Sequence, residues 1–400
     1  MGLLHFDWRR RSLAKSNPAS NEILIVAAEA SSTLYAQRLL EYWRQQNQSI
    51  ASFGIGSRSM EAMGFEILGR SEELAVVGFQ EVMAHWGDIK GAFDRLVEAA
   101  KERKPKVALL LDYPDFNLRL AKKLKKLGIP VVYYISPQVW AWRRSRVKII
   151  RRLVDKMLVL FPFEKDFYDK NGVSAEFVGH PLLDELKSDL FDQNEIKKDR
   201  QRYGIKDNET LLALMPGSRH SEIKNHLETQ LAVAERLHGE NEDLQVALFV
   251  APTFDLETFK SNMPPLQFPL IVLQDEPFRM IRLADVVLCA SGTATLLVGL
   301  LEKPMVIMYK MNAMTAWIAK TFVKDTPFFG MINLVLGKMV APEFFQEAAS
   351  VEGLAGALRR LINEPTAAEE MACDLKQAKV RLGSEGATTR VAKALDGYFS

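Results

Sequence analysis

From Glu22 onward the chain repeats one pattern, a short apolar run, a turn and a longer amphipathic stretch. In the first half the runs are ILIVAA (23–28), SIASFG (49–54), KVALLLD (106–112), PVVYYIS (130–136) and KMLVLF (156–161). Near-continuous Val, Ile and Leu content marks strands buried on both faces, as in parallel sheets covered by helices. The stretches between them read as helices; FNLRLAKKLKKLG (116–128) spaces its leucines at the helical period and stops at a glycine. Such alternation predicts an α/β protein with a doubly wound parallel sheet. Around 184–208 the chain turns polar and charged, and the pattern then restarts with TLLALMP (210–216), QVALFVA (245–251), FPLIVLQ (268–274), DVVLCAS (285–291) and PMVIMYK (304–310). The expected plan is two Rossmann-like domains, 21–185 and 209–365, joined by a linker at 186–208 and followed by a helical segment at 366–400. Facing each other, such domains form a cleft at the carboxyl ends of their strands, where open α/β sheets bind ligands.

Composition narrows the function classes. With 400 residues, 48% hydrophobic and 26% charged, the chain suits two folded domains and is neither disordered nor fibrous. A net charge of +2 supplies no global field toward nucleic acid or acidic lipid, so any basic function must come from local clusters. Two cysteines, Cys289 and Cys373, cannot build a disulfide framework or a tetrahedral metal site, which fits a reducing cytoplasm. No apolar run reaches the roughly 18 residues of a spanning helix. Residues 1–20 have no signal-peptide pattern and read as a loosely held tail, with a short interfacial anchor as the alternative.

Two strand–turn–helix units stand out in the second half. In LLALMPGSRHSEI (211–223) a buried strand runs into Pro216-Gly217-Ser218-Arg219 and then a helix. Unpaired N–H groups at a helix start attract phosphate, Gly217 lets a ligand approach, Ser218 supplies a hydroxyl and Arg219 a fork-shaped cation. The alternative is a plain turn in which the serine caps the helix. CASGTATLLVGLLEKP (289–304) repeats the design with Ser291, Gly292, Thr293 and Thr295. Two such turns in one domain look like two sides of a nucleotide diphosphate pocket.

In the first half, LLLDYPDFNLRLAKKL ends a strand with Asp112 and Asp115. Either could face the cleft as a general base, and Asp115 could equally cap the next helix. YYISPQVWAWRRSRVKIIRRLVDK (133–156) mixes Trp140 and Trp142 with Arg143, Arg144, Arg146, Arg151 and Arg152. That mixture suits nucleic acid, a lipid headgroup or a solvated basic face; the near-neutral total charge argues against nucleic acid. LAVVGFQEVMAHWGDI (74–89) is unusually apolar for a connection and reads as core or as a lipid-facing patch. No pair of histidines has metal spacing, and His180 lies where it could line the cleft or make a structural hydrogen bond.

From DYPDFNLRLAKKL through YYISPQVWAWRRSRVKI to FVGHPLLDE the chain closely resembles bacterial lipid-A-disaccharide synthases. PGSRHSEI, ASGTATL, KPMVIMYKMNAMTAWIAK, INLVLGKMVAPEFFQ and GIGSRSMEAMGFE carry the same resemblance, over about residues 22 to 380. It implies a GT-B glycosyltransferase of lipid A biosynthesis that moves 2,3-diacylglucosamine from UDP onto 2,3-diacylglucosamine 1-phosphate, giving a β-1,6 disaccharide and UDP. It implies no cofactor and no metal. UDP would be held by Gly217, Ser218, Arg219, Ser291, Gly292, Thr293, Thr295, Asn333 and Glu343, and Asp112 or Asp115 would be the catalytic base. Glu29, Ser31, Asn117, Ser136, Trp140, Trp142 and His180 would line the acceptor side. The implied location is cytoplasmic, peripheral to the inner membrane, and the reading allows for a homodimer. The chain departs from the family at Ala28-Glu29-Ala30-Ser31-Ser32-Thr33 and Ala36, where Gly-Glu-Ala-Ser-Gly-Asp and a later Gly are usual. It departs again at Leu297, where SGTATLE places a glutamate. These departures keep two alternatives in view: a relative with altered donor or acceptor, and a silent lipid- or partner-binding protein.

Overall fold

A computed structural model describes residues 21–71, 86–140, 144–311 and 328–399. The N-terminal tail 1–20, residues 74–85 of the apolar stretch, Trp142 and Arg143 lie outside the described residues. The first sheet holds β1 (Glu22–Ala27), β2 (Ala51–Gly56), β3 (Glu66–Arg70), β4 (Val107–Leu111), β5 (Val131–Tyr134), β6 (Lys156–Val159) and β7 (Ala175–Phe177). Its seven strands lie in the order β3-β2-β1-β4-β5-β6-β7, and every pairing is parallel. The second holds β8 (Leu211–Met215), β9 (Gln245–Phe249), β10 (Ile271–Leu273), β11 (Val286–Ala290), β12 (Met305–Tyr309) and β13 (Glu343–Phe345). Its order is β10-β9-β8-β11-β12-β13, again all parallel. Both sheets reverse direction once, at β1/β4 and at β8/β11.

The central strands are buried along their whole length, as their apolar runs require: EILIVA, VALLL and VVLCA have no exposed residue. Strands this close leave no room for extra atoms. A β-carbon on Gly54, whose φ is +142°, would stand 2.0 Å from the Ile25 carbonyl oxygen, so β2 needs glycine there to pair with β1.

Three strands carry no run long enough to read from sequence: β3, β7 and β13. All lie at sheet edges, and β7 and β13 are only half-buried throughout. An edge strand is covered on fewer sides, so its apolar run is shorter and more interrupted.

The charged segment at 186–208 folds as the helix Gln193–Arg202 rather than as an extended tether. Asp189, Asp199 and Arg200 pair into the second domain. Arg200 Nη1 donates to the Leu283 carbonyl at 2.8 Å and to Asp285 Oδ2 at 3.0 Å. Buried Arg282 reaches back to the Asp189 carbonyl at 2.8 Å and to the Asp199 carboxylate.

The helices Val351–Asn363 and Pro365–Arg381 pack on the second domain. The chain then crosses back, and Ala387–Asp396 packs against Ala30–Gln45 of the first. Phe399 meets Trp43 edge-on at 6.2 Å, and Arg390 Nε donates to the Val178 carbonyl at 2.7 Å. Among the described residues no helix is long and apolar enough to cross a membrane.

Candidate active site

Open parallel sheets offer a crevice where the strand order reverses, and here two such crevices meet. The four strands concerned end in Ala28-Glu29, Asp112, Pro216-Gly217-Ser218-Arg219 and Ser291-Gly292-Thr293. Arg219 Nη2 from the second domain lies 3.9 Å from Glu29 Oε2 of the first. The cleft is therefore spanned by a charge pair between the two switch points.

Asp112 and Asp115 diverge in the structure. Asp112 follows β4 with φ at +47°, and Tyr113 follows it at +44°. Its carboxyl is pushed up to about 6, by burial first and by neighbouring Glu29 second; the Tyr113 N–H and the Arg219 charge oppose the rise. Asp115 sits in the first turn of the helix Pro114–Lys126 and is 68% exposed. It pairs with Arg146 Nη2 at 2.6 Å and does not cap the helix, whose N-cap is Tyr113. The left-handed turn places Pro114 at the first helical position and spends Asp115 on the surface.

Asn117, expected on the acceptor side, is fully buried and makes no approach to the cleft. Its Nδ2 donates to the Leu111 and Asp112 carbonyls at 3.0 and 2.7 Å. Sequence gives no warning of this, because the need arises from a backbone conformation that carries no glycine.

The Pro216–Arg219 turn is built around Glu222. Its Oε2 accepts from the N–H groups of Ser218 at 2.8 Å and Arg219 at 3.2 Å. A β-carbon on Gly217, with φ at +126°, would fall 2.4 Å from that oxygen. The helix His220–Glu240 takes Arg219 as its N-cap, so Ser218 is not the cap and stays exposed. Arg219 is 53% exposed, with its guanidinium also 3.7 Å from Glu222 Oε1. Behind the turn, fully buried His226 lies 2.8 Å from the Pro216 carbonyl through Nδ1 and accepts the Lys310 N–H at 3.0 Å through Nε2. Burial pulls its pKa down, so it joins the ends of β8 and β12 as a neutral ring. His226 was not among the expected site residues, and its only signal is a polar residue on the inner face of a helix.

In the second turn Gly292 and Thr293 are exposed, while Ser291 Oγ donates to the Phe329 carbonyl at 2.9 Å. Three residues expected to hold UDP make hydrogen bonds within the protein. Thr295 is buried and its hydroxyl donates to the Gly292 carbonyl at 2.8 Å. Buried Asn333 donates to the Ala341 carbonyl and to Glu343 Oε1, both at 2.7 Å, and accepts the N–H groups of Val340 and Ala341. Glu343 also accepts the N–H groups of Phe329 at 2.7 Å and Gly330 at 2.9 Å. With donors and acceptors used in this way, Asn333 and Glu343 brace the loop behind Ser291.

Comparison with known proteins decides among the chemistries such a cleft can host. The family model for lipid-A-disaccharide synthetase matches residues 23–395. The lipid-A-disaccharide synthase of Myxococcus xanthus is 40% identical over 373 residues, 93% of this chain and 96% of the relative. That of Nitrosococcus oceani is 38% identical over 371 residues, 93% and 94% of the two chains. The chain belongs to the lipid-A-disaccharide synthetase family. It is thus a glycosyltransferase of lipid A biosynthesis that forms the disaccharide.

Solved structures agree on the GT-B fold. A UDP-GlcNAc 2-epimerase from Neisseria meningitidis, bound to UDP-GlcNAc, superposes with a TM-score of 0.63 at 12% identity, covering 94% of this chain and 100% of its own. MurG from Acinetobacter baumannii gives 0.56 at 14% identity, with 94% and 99% covered.

The residues expected on the acceptor side divide again. Ser31 is exposed in the first turn of the helix Ala30–Gln45, with Glu29 as its N-cap. Ser136 and Trp140 turn inward to a buried carboxylate, Glu164, which sequence reading passed over. Ser136 Oγ and Trp140 Nε1, the latter at 3.1 Å, donate to its Oε1, and the Phe161 N–H donates to its Oε2 at 3.2 Å. Burial pushes Glu164 up to about 7 against those hydrogen bonds. His180 is buried beside Phe161, and its Nδ1 accepts the Leu182 N–H at 3.2 Å. Burial pulls it down to about 3, so it stays neutral and does structural duty.

The departures at Ser32, Thr33 and Ala36 all fall on buried positions of the helix Ala30–Gln45. Ser32 Oγ accepts the Glu29 N–H at 2.9 Å and donates to the Glu29 carbonyl at 2.8 Å, so this loop closes on itself. Leu297 packs, partly buried, on the core of the second domain.

Proposed function

We propose that this synthetase transfers 2,3-diacylglucosamine from its UDP derivative to the 6-hydroxyl of 2,3-diacylglucosamine 1-phosphate, with Asp112 as the base. The observation that carries the reading is the arrangement at the cleft: a half-buried carboxyl poised near neutrality on one wall and Arg219 on the other, linked through Glu29. The Asp112 carboxylate takes the proton of the acceptor hydroxyl, and that oxygen attacks the anomeric carbon from the face opposite UDP. The bond from that carbon to the phosphate oxygen breaks, and its electron pair leaves with UDP. Arg219, Gly217, Ser218, Gly292 and Thr293, at the two turns that open on the cleft, would receive the diphosphate. Asp115, exposed and paired with Arg146, is left out of the reaction.

Peripheral association with an anionic membrane surface belongs to the same proposal. Two adjacent helices of the first domain, Pro114–Lys126 and Val147–Leu153, expose Arg119, Lys122, Lys123, Lys126, Arg151 and Arg152, and Ile149 beside them is 49% exposed. Each basic residue near an anionic leaflet contributes about 1 kcal/mol, enough together to hold an enzyme whose substrates carry acyl chains.

The test is turnover of purified protein with both acylated substrates in detergent micelles, following UDP and disaccharide by mass spectrometry. Disaccharide formed by the parent and lost in Asp112→Ala supports the reading. UDP binding without disaccharide would assign other substrates, and no UDP binding would assign a silent relative.

A further inference from the structure

The turn that carries Asp112 is held in a conformation its own residues disfavour. Asp112 and Tyr113 are consecutive left-handed residues, φ +47° and +44°, and neither is glycine. For residues with a β-carbon that region is sterically penalised, and it persists only where surrounding structure over-determines it.

The over-determination is visible. Asn117, one turn into the helix Pro114–Lys126, sends both protons of Nδ2 back to the Leu111 and Asp112 carbonyls, at 3.0 and 2.7 Å. Tyr133 on the neighbouring strand β5 donates its hydroxyl to the same Asp112 carbonyl. The Asp112 N–H in turn donates to the Tyr134 carbonyl at 3.1 Å. Asn117 and Tyr133 are both fully buried, and neither can reach a ligand in the cleft.

The amide spends both its protons on these carbonyls and places its Oδ1 in the interior, away from the cleft.

We propose that Asn117 and Tyr133 are positioning residues for glycosyl transfer: together they clamp the Asp112 carbonyl so that the carboxylate can only project toward Glu29 and Arg219. Released, the turn relaxes toward a right-handed conformation and the bond from Cα to Cβ of Asp112 swings off the acceptor hydroxyl. Misplacement of a base costs rate far more than it costs substrate binding. The inference rests on Asp112 being the base.

Tyr133→Phe removes one oxygen and keeps the ring in its packing; Asn117→Ala removes the other clamp. For each, kcat, KM, the acid limb of the pH–rate profile, UDP affinity by calorimetry and the thermal midpoint are measured beside Asp112→Ala. Both clamp variants should lose tenfold or more in kcat with UDP affinity within twofold of the parent. The acid limb should shift, because the carboxyl changes surroundings. Adding Tyr133→Phe to Asp112→Ala should slow it no further.

If Asp112→Ala turns over like the parent, the base assignment itself fails. If Asp112→Ala is dead while either clamp variant keeps parental kcat and acid limb, the base stands and the clamp is refuted. The clamp is equally refuted if kcat falls only in step with the thermal midpoint, with the pH profile unmoved.

Discussion

Replacing Asp112 by asparagine should make the enzyme nearly inactive and, at neutral pH, more stable. The carboxyl lies at about 6 against an ordinary value of 3.8, chiefly because burial penalises its charge. Two pKa units at about 1.4 kcal/mol each give ~3 kcal/mol. The sign follows from a raised folded value: the folded state holds the proton more tightly, so that stabilisation is complete below 3.8 and is lost as pH climbs through 6. Asparagine has no proton to lose. Relative to the parent, the variant therefore gains with pH, and about 2 of the ~3 kcal/mol falls between pH 4.5 and pH 8. For a domain of this size that corresponds to a widening of the difference in thermal midpoint by roughly 4–8 °C. Scanning fluorimetry of both proteins across that range reads it directly. Turnover should fall by roughly 10²–10⁴, the usual contribution of a general base, while parental kcat/KM declines tenfold per unit below about pH 6. A midpoint difference that does not change with pH, or a variant within tenfold of parental kcat, would refute the reasoning.

Substitutions at two further residues probe the rest of the site. Arg219→Ala should raise the dissociation constant for UDP by about 10- to 100-fold, as expected for losing one charge-assisted contact worth about 1.5–3 kcal/mol; calorimetry reads this, and an unchanged constant would remove Arg219 from the diphosphate site. Glu164→Ala should lower stability by about 2–4 kcal/mol, because Ser136, Trp140 and the Phe161 N–H lose their shared acceptor. Glu164→Gln should instead flatten the loss of stability that the parent shows as pH rises through about 7; thermal melts from pH 5 to 8 separate the two.

What could be read from the sequence follows from what burial does to residue choice. Central strands lie between two helix layers, so EILIVA, VALLL and LLALM announce themselves. The edge strands β3, β7 and β13 do not, because half-covered positions tolerate polar residues such as Glu66, Glu176 and Glu343 and short runs such as AEF and EFF. Motif position was equally legible: Glu29, Asp112, Arg219 and Ser291 do gather at the reversals of strand order. Division of labour within a motif was not. Asp112 and Asp115 are chemically alike and three residues apart, and they are separated by a left-handed turn that no glycine flags. Asn333, Glu343, Thr295 and Asn117 look like ligand contacts because they are polar, yet their hydrogen bonds close on the backbone. Polar residues beside a strained loop serve the loop before they serve the ligand.

Arg219 ties these observations together. Its guanidinium stands between Glu222 at 3.7 Å and Glu29 at 3.9 Å, and it is half exposed. Ion pairs so long and so wet contribute about 0–1 kcal/mol each. A diphosphate, with shorter and charge-assisted bonds, displaces them at little cost. Moving Arg219 onto phosphate has a second effect across the cleft. Its positive charge is one of the influences holding the Asp112 pKa down, while Glu29 pushes it up. Once Arg219 is neutralised by the donor, only the Tyr113 N–H still opposes Glu29 and burial, and Asp112 becomes a stronger base. Donor binding and proton affinity are then linked, and linkage is reciprocal. UDP binding should take up protons when measured between pH 6 and 7 in buffers of different ionisation enthalpy, and Asp112→Asn should abolish most of that uptake. Uptake that is absent in the parent, or unchanged in the variant, would show that the two walls of the cleft do not communicate through charge.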